Sequence, residues 1–114
     1  MSRLESIDSS NLEGLIKSPY AVLVLAKTGC PACQSWGDEL TSYLDDPEKW
    51  PQVRFGKVLL DKPGLARYKR DNPWLAEVDV LPYNVIYVNG EIIKSYAGGG
   101  IERLENRLRR IFTS

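Results

Sequence analysis

The chain has 114 residues, with 15 basic and 15 acidic side chains that balance to zero net charge, 43% apolar residues and no histidine. That length makes one domain, residues 1–114, able to bury a core. The even charge argues against nucleic acid or an anionic membrane as a partner. The lack of histidine excludes cysteine–histidine nucleophilic pairs, histidine acid–base chemistry and mixed cysteine–histidine zinc sites.

The first eight residues, Met1 to Asp8, are polar and lack the apolar region of a signal peptide. Such a start makes a cytoplasmic chain the expectation, although a secreted one whose signal has been removed would share it. Asp8 to Lys17 places Leu12, Leu15 and Ile16 at helical spacing, with Asp8, Ser9 or Ser10 as cap. Pro19 ends that helix. Tyr20 to Ala26 is a continuous apolar run, the pattern of a central strand covered on both faces. Thr28 and Gly29 break it, and Pro31 suits the first turn of a helix running to about Leu44.

Asp45, Asp46 and Pro47 stop that helix, and Val53 to Leu60 reads as a second strand. Lys62, Pro63 and Gly64 turn into a short helix, Leu65 to Arg70. Asp71, Asn72 and Pro73 break it, and Trp74 to Val80 reads as a loop with a helical turn. Asn84 to Val88 and Glu91 to Tyr96 are strands joined by Asn89-Gly90, a strong hairpin signal. Gly98, Gly99 and Gly100 lead into an amphipathic helix, Ile101 to Phe112, with Leu104, Leu108 and Ile111 on its apolar face. No apolar run nears the roughly 20 residues that span a bilayer.

Early strands separated by helices pair in parallel through right-handed crossovers, and the terminal hairpin adds antiparallel strands. The expected fold is α/β: a mixed sheet of about four strands with helices on both faces.

Both cysteines lie in one tetrapeptide, Cys30-Pro31-Ala32-Cys33, between a strand and a helix. Two thiols at that spacing can close a disulfide on one helical turn. Downstream stand Lys57 to Asp61, the Val80-Leu81-Pro82 turn, and the hairpin Val85 to Glu91 running on to Gly98. Gly90 follows Pro82 by eight residues, and Gly98 follows Gly90 by eight. In this order the features resemble the thioredoxin superfamily over nearly the whole chain.

There are departures from the family pattern. Thioredoxins carry Trp-Cys-Gly-Pro-Cys where this chain has Gly29 to Cys33, and the Cys-Pro start is closer to glutaredoxins. The buried acid of thioredoxins is replaced by Val24, and the segment from Asp71 to Asp79 is longer.

The chemistry expected is thiol–disulfide exchange. If the helix starts at Pro31, Cys30 is its N-cap, where the helix dipole and free N–H groups favour a thiolate. Cys30 is then the nucleophile and Cys33, one turn further in, the resolving thiol. The resemblance implies that Pro82 is cis, faces the two cysteines, frees the Leu81 backbone to pair with an extended substrate and keeps metal off the thiols. Gly29, Pro31, Ala32 and Gly98 would rim the same groove, Gly98 because a residue without a side chain allows close backbone approach. Tyr83 is a further candidate for that rim. The resemblance also brings Lys57 close to the thiols, where it would tune Cys33, with Asp61 as a possible companion. A surface lysine packing along its stem is the alternative.

Trp36 is expected to pack, Trp50 to be a core or edge residue, and Trp74 either to contact a partner or to cap the core. No metal and no cofactor beyond the Cys30–Cys33 pair is expected. The implied partners are disulfide-bearing proteins, with a reductase or glutathione as electron donor to a monomeric protein. Two other readings stay open: a disulfide oxidase or isomerase, and a binding module in which the two cysteines only hold a structural disulfide or a metal across a dimer.

Overall fold

The computed structural model describes residues 2–113. Five strands form one sheet: β1 (Leu4–Ile7), β2 (Tyr20–Ala26), β3 (Arg54–Leu59), β4 (Tyr83–Val88) and β5 (Glu91–Ala97). Four helices accompany them: α1 (Leu12–Ile16), α2 (Pro31–Tyr43), α3 (Ala66–Asp71) and α4 (Ile101–Thr113). The strand order is β1-β3-β2-β4-β5. β3 runs parallel to β1 and β2, whereas β4 runs antiparallel to β2 and β5.

The sheet thus has five strands where about four were expected. The added one is β1, in the polar N-terminus. Its four residues mix Leu4 and Ile7 with Glu5 and Ser6, too short and too mixed for a strand signal. It forms because β3 offers a free edge, and Ile7 then becomes buried. Helix α1 starts at Leu12, later than the Asp8 expected. The Asp8 side chain accepts from the Ser10 N–H at 2.8 Å, which spends those residues on a turn. The Trp74 segment contains a 3₁₀ turn, Pro73–Glu77.

The two faces bury separate clusters. Leu23, Leu25, Val58 and Val85 pack under α1 and α3, with Leu12, Leu15, Leu65 and Tyr68. Val22, Val24, Phe55 and Ile86 pack under α2 and α4, with Trp36, Leu40, Leu104 and Leu108. Each such side chain contributes about 1.5–3 kcal/mol on full burial. β2, buried along both faces, is the axis on which the two layers meet. Asn89 and Gly90 take positive φ of 51° and 84°, as a two-residue hairpin turn requires. No described helix is long and apolar enough to cross a membrane.

Candidate active site

Buried β2 delivers the chain to Lys27, Thr28 and Gly29, all exposed at one end of the sheet. Gly29 turns with φ of 74°. Cys30 then caps α2 from an extended conformation, φ −101° and ψ 105°, with Pro31 in the first turn. Its Sγ accepts the Cys33 N–H at 3.2 Å. Cys33 is 1% exposed, Cys30 is half-buried, and the two form a disulfide with Cα atoms 5.2 Å apart. The outer sulfur is thus reachable and the inner one shielded.

Thr28 is tied down from below. Its N–H donates to Asp61 Oδ1 at 3.0 Å, so the segment after β3 holds the loop that precedes Cys30. Hydrogen bonds from Thr28 keep the exposed Asp61 carboxyl below its ordinary value. The sequence offers Asp61 as a companion of Lys57; in the structure it binds the loop.

Lys57 pairs in register with Val24 at the centre of the sheet and runs beneath α2. Gly37, one turn past Cys33, makes room for it: a methyl there would stand 3.0 Å from Lys57 Nζ. Gly29, Cys30, Pro31, Cys33 and Lys57 all line one cleft of about 760 Å³, on the β3 side of β2. Ala32 is exposed beside it.

Leu81, Pro82 and Gly98 gather on the other side of β2. The Leu81–Pro82 peptide is cis. Tyr83 pairs with Leu25, which sets Pro82 opposite Ala26 at the end of β2, where the cysteine loop begins. The Gly98 N–H donates to the Pro82 carbonyl at 2.8 Å, and Gly98 has φ of 91°. The Gly98 turn is therefore fastened to the Pro82 loop.

The tryptophans mainly pack. Trp36 is 2% exposed, and Trp50 meets Phe112 with ring centroids 5.7 Å apart. Trp74 is half-buried against Tyr83, centroids 6.1 Å apart. One buried residue behind the site carries no sequence signal of its role. Asn84, wholly buried on β4, binds Trp36 Nε1 and the Gly98 carbonyl. The sequence shows only an amide in a strand of Val85, Ile86 and Tyr87.

No protein-family model matches the chain, and no curated protein does. Solved structures do. Thioredoxin f2 of Chlamydomonas reinhardtii superposes with a TM-score of 0.73 at 17% identity, covering 97% of this chain and 98% of that one. Thioredoxin O2 of Arabidopsis thaliana, in its oxidized state, gives 0.73 at 16%, covering 97% and 96%. Mitochondrial thioredoxin 3 of Saccharomyces cerevisiae gives 0.69 at 22%, covering 94% of each. The chain has the thioredoxin fold.

Proposed function

We propose that this protein is a thiol–disulfide oxidoreductase that reduces disulfides in protein substrates. The observation that carries the reading is Cys30 at the start of a 13-residue helix, its sulfur accepting the Cys33 N–H. That position stabilises a thiolate and lowers a thiol pKa from about 8.5 toward about 3.5–7.5.

The steps balance. The Cys30 thiolate attacks one substrate sulfur, the substrate S–S bond breaks, and the leaving sulfur takes a proton. Cys33 then gives up its proton and attacks Cys30 Sγ. The Cys30–Cys33 disulfide forms and the first substrate sulfur leaves as a thiol. Two electrons have passed from the cysteine pair to the substrate, with one proton from Cys33 and one from solvent, and a dithiol reductase or glutathione restores the reduced pair. The cysteine pair is the only redox group this scheme needs.

Shielded Cys33 suits the resolving role, because only an intramolecular attack reaches it easily. Lys57, in the same cleft, favours its ionised form. The Leu81 backbone beside Pro82, with Gly98, receives an extended substrate segment, and Gly29, Pro31 and Ala32 form the facing rim. The protein works as a monomer in the cytoplasm.

The test is the reduction potential of the cysteine pair, measured by equilibration in thiol–disulfide buffers with acid-trapped alkylation. A value near about −230 to −270 mV is expected of a reductant, whereas about −120 to −180 mV would mean an oxidase or isomerase. No reversible bond at any poise would overturn the enzyme reading.

A further inference from the structure

Asn84 is the one buried amide or charged side chain among the described residues, at 0% exposure. All its polar atoms are used. Oδ1 accepts Trp36 Nε1–H at 2.8 Å, and Nδ2 donates to the Gly98 carbonyl at 2.7 Å and the Tyr96 carbonyl at 3.3 Å. The opposite amide orientation would set donor against donor and acceptor against acceptors. The Gly98 N–H in turn donates to the Pro82 carbonyl.

A single amide therefore joins three segments. Trp36 stands three residues past Cys33 on α2, Asn84 itself stands two past Pro82, and Gly98 heads the turn after β5. The indole also supports that turn directly, since a methyl at Gly99 would lie 3.1 Å from its ring. An apolar side chain would suit a strand that continues Val85-Ile86 without stripping water from an amide, but only if Trp36 changed with it, because the buried indole N–H would otherwise lose its acceptor. What a satisfied buried network adds is one fixed geometry.

We propose that Asn84 is a positioning residue that adapts the site to polypeptide disulfides. It holds the Pro82 loop and the Gly98 turn at set places relative to Cys30, so that a substrate backbone finds its partners already in register. This rests on the reading that Pro82 and Gly98 form the groove of a thiol–disulfide oxidoreductase. A small disulfide needs only the Cys30–Cys33 pair; a protein disulfide needs the groove as well.

The test compares Asn84→Leu with wild type on insulin and on bis(2-hydroxyethyl) disulfide, with hydrogen exchange at the Gly98 amide as a readout besides activity. The expected result is a KM for insulin raised about tenfold, kcat within about twofold and the small disulfide within about twofold. The potential of the cysteine pair stays unchanged and the Gly98 amide exchanges faster. Trp36→Phe removes the indole donor with part of the ring and is expected to move the same quantities the same way by a smaller factor; it decides the matter if Asn84→Leu does not fold. Equal losses on both substrates, or no change in either KM or Gly98 exchange, would overturn the positioning role while the oxidoreductase reading stands. A wild type that reduces neither disulfide would overturn that reading, and this one with it.

Discussion

Asp61 Oδ1 lies 3.0 Å from the Thr28 N–H, a hydrogen bond between residues 33 apart that closes the cysteine loop onto the sheet. The backbone bond from Thr28 is the largest reason the Asp61 carboxyl sits below its ordinary value of 3.8. With a depressed folded value, the bond contributes stability above the unfolded pKa and loses it as pH falls through the folded one. The Thr28 amide resonance should titrate with a midpoint below 3.8. Asp61→Asn should abolish the titration and leave the fold. A midpoint at or above the ordinary value would refute the clamp.

Gly56→Ala tests how β1 is held. A methyl at Gly56 would stand 2.5 Å from Ile7 Cγ1 and 2.7 Å from Leu15 Cδ2, inside the layer between β1, β3 and α1. Overpacking of this kind costs about 1–3 kcal/mol. The denaturant midpoint should fall accordingly, and faster amide exchange should appear first in β1. An unchanged midpoint would mean that the layer repacks freely.

The division of labour between the cysteines predicts two outcomes. Cys33→Ser should trap mixed disulfides through Cys30, seen as a mass increase that a reductant reverses. If Lys57 favours the Cys33 thiolate as proposed, Lys57→Met removes the ammonium from the cleft and raises the Cys33 thiol pKa. Resolution of the mixed disulfide should slow about threefold near neutral pH for a rise of roughly one pKa unit, the loss of thiolate being partly offset by its greater nucleophilicity. Rapid alkylation of Cys33 in preference to Cys30 would reverse the assigned roles.

Alkali should unfold the protein through its tyrosines. Burial, then the bond to Glu105, pushes Tyr43 up to about 12, and burial raises Tyr68, Tyr87 and Tyr96 as well. The Tyr43 hydroxyl donates to Glu105 Oε2 at 2.8 Å and accepts from Trp50 at 2.9 Å. A raised folded value favours the neutral form. Its contribution is complete below the unfolded pKa near 10 and is lost as pH climbs toward about 12. The urea midpoint should therefore drop between pH of about 9 and about 11.5, and drop less in Tyr43→Phe. Equal midpoints at the two pH values would rule this out.

Much of this protein is legible along the chain. Tyr20 to Ala26 announces a buried strand, Pro31 after Cys30 a helix start, and Asn89-Gly90 a hairpin. Each of these is decided by neighbours within a few residues, through φ preferences, hydrogen bonds of one turn and the alternation of apolar side chains. The cysteine pair is legible for the same reason, because its chemistry depends on one turn of helix.

Tertiary structure decided the rest. β1 exists because β3 has an open edge to satisfy its backbone. Asp61 reaches Thr28 across 33 residues, and Asn84 reaches Trp36 across 48. Lys57 finds its room beneath a glycine on a different element. A buried amide, an exposed acid and a lysine carry no mark in sequence of which distant group they will meet. Those partners are set only when the two layers close on β2 and every stranded donor and acceptor must be paired.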